Sequence, residues 1–419
     1  MRILFYGLNY APEPVGIGKY SGEMATWLAA RGHELRVITA PPYFPRWQVG
    51  GGLNSGGEPY RNRHRRERLE GVRVWRAPLW VPVRPTGVTR LVHLASFAIS
   101  SLPPLLAQAR WQPELVITVA PAFFCAPGAL LLGRCVGSRC RTWLHVQDFE
   151  LDAAFELGML KGGWIRRLAE GWERQTLRSF DRVSSISLAM VQRLVEKGVD
   201  ASRTRLLPNW VDLQAIRPQN QEQRAHNAYR LELGIRPEQT VLMYSGSMSR
   251  KQGLGILAEV IRRLGERRDL IWLLAGEGPN KAELAAACGD WPQVRLLTLQ
   301  PLERLNDWLN AADIHLLPQR AAAADLVLPS KLLGILASGR PVVASSPQGS
   351  ELAELAQQSG LCVTPEDADA FTDAVRRLAD DPHLRQAKGL RARQLAEMRF
   401  GREQVLSRLE QDLTALLMQ

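Results

Sequence analysis

Two short stretches place cations where a helix would begin. In Ser247-Met248-Ser249-Arg250-Lys251-Gln252-Gly253, small residues and two cations follow the apolar run VLMYSG. Backbone N–H groups at such a turn cradle phosphate while Arg250 and Lys251 neutralise it; a basic surface loop is the plain alternative. In LVLPSKLLGILASG, residues Ser330, Lys331 and Leu332 fall in a first helical turn behind Pro329. The helix dipole disfavours a lysine there, so a nearby anion would account for Lys331; without one, the side chain snorkels outward. Both stretches suit the binding of a phosphate or diphosphate.

A third group closes the run RTWLHVQD, where His145 and Asp148 would stand at the carboxyl end of a strand. That position suits acid–base work or contacts to substrate hydroxyls. A lone strand histidine can equally be a satisfied interior one, whereas a carboxylate resists burial without a partner. Nearer the N-terminus, Gly16 and Gly18 either let the backbone approach a ligand or make a plain turn. The spacing Gly16, Gly18, Gly22 is one residue too long for a dinucleotide fingerprint, and Thr39-Ala40-Pro41-Pro42 offers no acid for a ribose. NAD is therefore not expected. None of the five cysteines stands at zinc-ligand spacing from a histidine, and no metal is expected.

The elements that must hold these residues alternate along the chain. RILFYGL, a Gly/Pro-rich loop, YSGEMATWLAARGH and ELRVITA read as strand, loop, helix, strand. PELVITVAP, a helix from about residue 123 to 133, RTWLHVQD and DRVSSISLAMVQRLVEKGV continue the pattern. After the polar stretch QNQEQRAHN, read as a surface connection, a second alternating series starts at TVLMYSGSM and ends at RPVVASS. A chain of 419 residues exceeds one ordinary core. The expectation is an α/β protein of two facing Rossmann-like, doubly wound domains with a deep cleft between them. Residues 1–207 form the first domain, 208–395 the second, and 396–419 a helix crossing back.

Net charge is +11, and it concentrates in RNRHRRER, which leads into a stretch holding Trp75 and Trp80. Arg90, His93, Ser96, Ser100, Pro103 and Pro104 interrupt the apolar run that follows, which argues against a bilayer span. Arg63, Arg65 and Arg66 beside Trp75 and Trp80 suit contact with an anionic membrane surface; a solvated basic loop before a core helix is the alternative. No nucleic-acid module accompanies the charge. The scattered cysteines and the absence of a leader-like apolar run point to a reducing cytoplasm.

RGHELRVITAPPYFP, RLLPNWVDL, LLAGEGPNKAELAAA, VRLLTLQPLERLNDWLNAADIHLLP and PSKLLGILASGRPVVA, in this order, resemble glycosyltransferase family 4 of the GT-B fold. The resemblance extends to the family's bacterial exopolysaccharide members. It implies a nucleotide-sugar donor, a GDP-sugar such as GDP-fucose foremost, and an undecaprenyl-diphosphate-linked saccharide acceptor. It further implies peripheral association with the inner face of the cytoplasmic membrane, retention of anomeric configuration, and no bound cofactor or metal. Ser247 and Gln252 occupy places where family members carry Arg and Lys, with Lys251 one residue away. The family's second paired glutamate falls on Gly334 and the first near Leu326, beside Asp325. These departures leave open a non-catalytic scaffold, or a sugar-nucleotide epimerase sharing the two-domain fold.

Overall fold

The computed structural model describes residues 1–50, 52–83, 86–120, 123–149, 163–249, 252–320 and 328–419. They form two compact units, Met1–Pro208 with Leu406–Gln419, and Asn209–Val405.

In the first unit the elements run β1 (Arg2–Gly7), α1 (Gly16–Ala30), β2 (Glu34–Thr39), β3 (Arg65–Leu69), β4 (Val72–Arg76), α2 (Gly87–Leu106) and β5 (Leu115–Ala120). There follow α3 (Ala126–Val136), β6 (Arg141–Val146), α4 (Gly163–Ser179), β7 (Arg182–Ser185), α5 (Leu188–Glu196) and β8 (Thr204–Leu206). The sheet order is β3-β4-β2-β1-β5-β6-β7-β8. Strand β5, LVITVA, is buried at every position, which is why it reads as a continuous apolar run.

The basic segment expected at a membrane is largely a hairpin, β3 antiparallel to β4. Glu67 and Arg76 point inward, and their ion pair, 2.7 Å long, is buried. Arg76 also donates to the carbonyls of Ala11 and Ala40, at 2.6 and 3.0 Å, so this charge ties the hairpin to two loops. The polar residues and prolines expected to interrupt the next run leave α2 intact, with Pro103 and Pro104 inside it. Ser100 Oγ donates to Pro78 C=O, and Ser96 Oγ accepts from Trp80 N–H at 2.9 Å, so the polar positions fasten the helix.

The second unit runs α6 (Gln221–Ala225), α7 (Ala228–Glu232), β9 (Thr240–Ser245), α8 (Gly255–Arg263), β10 (Leu270–Ala275), α9 (Lys281–Cys288) and β11 (Val294–Leu297). It continues with α10 (Leu305–Ala311), β12 (Ile314–Leu317), α11 (Lys331–Ala337), β13 (Val342–Ser345), α12 (Glu351–Ser359), β14 (Gly360–Val363), α13 (Ala368–Asp380) and α14 (Pro382–Leu395). Its parallel sheet has the order β11-β10-β9-β12-β13-β14, so the strand order reverses between β9 and β12. The stretch expected as a plain connection, residues 219–227, instead forms α6 and the cap of α7. Asn220 and Asn227 cap their first turns, satisfying N–H groups that a short helix leaves bare.

The last helix, α15 (Arg402–Leu417), begins in the second unit and ends in the first. Glu410 is held there by His33 at 2.8 Å and Arg31 at 3.0 Å, and Asp412 pairs with Arg205 at 3.4 Å.

Candidate active site

Chemistry in a doubly wound sheet belongs outside the carboxyl ends of the strands, at the reversal of strand order. In the second unit that point is the end of β9. Tyr244, one residue before the strand ends, turns its hydroxyl to the Ser247 carbonyl at 2.5 Å and so folds the chain back. Gly246 follows at φ +136°, a conformation side chains avoid, and a Cβ there would lie 3.4 Å from Lys331 Cδ.

Lys331, the first residue of α11, does not snorkel outward. Its Nζ donates to Gln252 Oε1 at 2.7 Å and to Tyr244 Oη at 3.1 Å, and lies 4.2 Å from the centre of the Tyr244 ring. Among the described residues its hydrogen-bond partners are neutral. Burial pulls the amine down to about 7 and pushes the Tyr244 hydroxyl up. An anion arriving beside Lys331 would restore its charge. Tyr244, absent from the residues expected at the site, and Gln252, from the loop that begins at Ser247, converge on this amine. The available signal was a polar tip closing an otherwise apolar strand, directly before Gly246.

A cavity of about 580 Å³ begins at Gly253, the residue after Gln252, and is lined also by Leu254, Asn280, Gln319, Arg320 and Ser345 among others. Ser247 and Ser330 are exposed nearby in sequence. Leu332 is a correction: its side chain is fully buried and its N–H donates to the Pro329 carbonyl at 2.9 Å, so that amide is already engaged. Arg250 and Lys251 lie outside the described residues. Gly334 sits where a carboxylate was sought, and a Cβ on it would come within 3.2 Å of Leu309 Cδ1. Among the described residues no group of three or more His, Cys, Asp or Glu gathers that could hold a metal ion.

Among the described residues, those at the ends of β6 and β1 in the first unit are engaged by that unit's own side chains. His145 is 1% exposed; Gln147 Nε2 donates to its Nε2 at 3.1 Å, leaving Nδ1–H to donate to Ser184 Oγ at 2.9 Å. Burial holds its pKa near 3, so it is a neutral interior histidine, the alternative the sequence had left open. Asp148 stands half-buried just beyond β6. Gly16 adopts φ +63° at the start of α1, while Gly18 makes room for Glu13, whose carboxylate a Cβ would approach to 2.6 Å. Glu13 accepts from Tyr43 N and Phe44 N, both at 3.1 Å, and from Asn9 Nδ2 at 2.9 Å. The two glycines thus serve a turn and a close packing contact. The void beside Gly7, Asn9 and Tyr10 is only about 10 Å³.

Of the residues expected at a membrane, Arg63, Arg66 and Trp80 are exposed. Arg65 is committed to Asn54 Oδ1 at 2.8 Å and Glu58 at 3.6 Å, and Trp75 is half-buried with the Arg36 guanidinium 5.5 Å from its ring centre.

Comparison with known proteins places this geometry in context. A family model described as a glycosyl transferase 4-like domain matches residues 15–210, and one described as glycosyl transferases group 1 matches residues 239–381. The chain is 41% identical, over 99% of its length and 100% of the relative's, to the Escherichia coli protein named colanic acid biosynthesis glycosyl transferase WcaI. Among solved structures, sucrose-phosphate synthase from Thermosynechococcus elongatus superposes with a TM-score of 0.74 at 17% identity, covering 100% of both chains. HepE from Anabaena, in complex with UDP-glucose, superposes at 0.68 with 14% identity, covering 98% of this chain and 99% of its own.

Proposed function

The chain belongs to the glycosyltransferase family that includes WcaI, and from that premise we propose that it moves a sugar from a nucleotide sugar to a lipid-linked saccharide in exopolysaccharide synthesis, colanic acid being the first case to test. The donor is a GDP-sugar, GDP-fucose foremost. The acceptor is an undecaprenyl-diphosphate-linked sugar at the cytoplasmic face of a membrane with anionic lipid.

The observation that carries this reading is the Lys331 amine, turned inward at the strand-order reversal onto Gln252, whose chain neighbour Gly253 lines a cavity of about 580 Å³. When the bond between the anomeric carbon and the diphosphate oxygen breaks, negative charge gathers on the diphosphate and the sugar becomes oxocarbenium-like. Lys331, recharged by that anion, stabilises the leaving group, with Arg250, Lys251, Ser247 and Ser330 completing the contact. The acceptor oxygen bonds to the anomeric carbon on the face the diphosphate leaves, and its proton passes to a diphosphate oxygen, so configuration is retained. Asp148 orients hydroxyls of the sugar or of the acceptor.

The test is a donor screen. The protein is incubated with GDP-fucose and then with other GDP-, UDP- and ADP-sugars, with and without lipid-linked acceptor, and released nucleoside diphosphate and product mass are measured. Release that depends on the acceptor supports the transferase. A scaffold without turnover is the second reading, favoured by Gly334, which brings no carboxylate to the donor. Binding of donors without release from any of them would establish it. Altered sugar without acceptor would instead mark an epimerase.

A further inference from the structure

A lipid-linked acceptor requires a membrane, and the first unit carries a surface suited to one on its helical face. Helices α2, α3 and α4 each connect parallel strands, β4 to β5, β5 to β6 and β6 to β7, and each steps in the same direction along the sheet. Right-handed crossovers put all three on one face of the sheet, whereas α1, stepping from β1 to β2 in the opposite direction, lies on the other. The three are contiguous: α2 packs on α3, and α3 on α4. Where α3 meets α4, Phe123 stacks edge-on against Trp172 with ring centres 5.0 Å apart.

Each helix has an inner and an outer side. On α2, His93, Leu94, Phe97, Ser101 and Leu105 are buried, while Val88, Val92 and Ile99 are 65%, 50% and 73% exposed. On α4, Trp164 and Leu168, four residues apart, are 69% and 65% exposed. Leu131 of α3, 42% exposed, adds to the same face. Large apolar side chains on three adjacent helices exceed the scattering usual for a surface in water.

Charge identifies the occupant. Neither α2 nor α3 contains an acidic residue. In α4, Glu170 is paired with Arg166 at 2.7 Å, and Glu173 is buried against Lys197 at 2.6 Å. Arg90, Arg134, Arg167 and Arg174 remain around the apolar residues, and the last three are exposed. Tryptophan and leucine amid arginines without an acidic partner among the described residues match the boundary between anionic headgroups and acyl chains. By length and apolarity, the helical run from Gly87 to Trp111 could also cross a bilayer. As the crossover from β4 to β5, with one side buried on its own unit, it serves instead as a surface element.

We infer that the α2–α3–α4 face of the first unit docks on an anionic lipid surface, its apolar residues in the acyl boundary and its arginines among the phosphates. The inference rests on the lipid-linked acceptor of the proposed function. Its test, however, needs neither donor nor turnover.

Full-length protein is sedimented with phosphatidylcholine vesicles and with vesicles of phosphatidylcholine and phosphatidylglycerol in equal parts. Three double variants are compared: Trp164→Ser with Leu168→Ser, Val92→Ser with Ile99→Ser, and Arg63→Ser with Arg66→Ser. All six side chains are exposed, and unchanged thermal melts verify that each variant folds. Wild type should bind the anionic vesicles, and each helix-face variant should lose about tenfold in partitioning, as expected from apolar area withheld from the membrane. The arginine variant at the β3 edge should keep most of its binding. Equal sedimentation of wild type and helix-face variants overturns the inference, as does loss confined to the Arg63/Arg66 variant. Indifference of wild type to phosphatidylglycerol overturns it too. A dimer in light scattering that Trp164→Ser with Leu168→Ser splits would assign the face to a second copy of the chain. Nucleotide release measured without vesicles reports separately on the transferase, so either idea can fail alone.

Discussion

At the end of β6 a histidine is enclosed by Ser184 and Gln147; at the end of β9 a lysine is held by Tyr244 and Gln252. Both are basic groups at the carboxyl edge of a parallel sheet, and desolvation lowers the pKa of both. The result differs because the starting points differ. Taken down to about 3, the imidazole is neutral at any ordinary pH and serves as a hydrogen-bonding strut. The ammonium, taken down to about 7, stays within reach of a proton that a diphosphate would draw back. The surroundings follow suit, with about 10 Å³ beside Gly7 and Asn9 against about 580 Å³ beside Gly253 and Arg320. Repeating a fold does not repeat its chemistry: among the described residues, those at the ends of β1 and β6 are engaged within the first unit, and the second leaves room for a ligand.

The sharpest way to break this contrast is Lys331→Ala. It should lower nucleoside diphosphate release by about a hundredfold at saturating donor, the usual loss on removing one preorganised charge stabiliser. Unchanged turnover would take Lys331 out of the site.

Next comes pH. The amine titrates near 7 in the fold against an ordinary 10.5, so the unfolded chain binds the extra proton throughout that window. Stability of the second unit should therefore rise with pH across it, relative to Lys331→Met, as followed by thermal melts. Donor use should move the other way, kcat/KM falling about tenfold per pH unit above the amine's pKa. Lys331→Arg, which stays charged, should flatten that slope.

His145→Ala should cost about 1–3 kcal/mol of stability, because it strands hydrogen-bonding groups inside the sheet, with turnover per folded molecule unchanged. Loss of turnover at undiminished stability would reopen a catalytic role for His145. The smallest effect belongs to Tyr244→Phe, which keeps the ring and removes the hydroxyl between Lys331 and Ser247. About 0.5–1.5 kcal/mol should appear as a change in donor KM, with the melt nearly unmoved.

Periodicity made the two alternating series legible, because parallel strands buried on both faces read as apolar runs such as LVITVA and LIWLLA. It failed where side-chain partners far apart in the chain decide the local structure. RRERL reads as a charged loop until Glu67 meets Arg76, and QNQEQRAHN reads as a linker until its asparagines cap two short helices that also carry Arg224 and Arg230 to Asp313. The site shows the same division. Lys331 was visible because its position opposes the helix dipole. Its partner Gln252 stands 79 positions away, and the loop that holds it draws attention to Arg250 and Lys251 rather than to a neutral amide. His145 looked equally suited to either role, since polarity at a strand end does not reveal which way the side chain turns.

One connection bears on how the chain comes into being. The sheet of the first unit is complete by β8, but Arg31, His33, Arg182 and Arg205 find Glu410, Gln419 and Asp412 only in the last segment. Ribosomal synthesis delivers that segment after the whole of the second unit has been made. The first unit therefore waits as a nascent intermediate with one surface uncovered, and a segment made only after the second unit is the one that covers it.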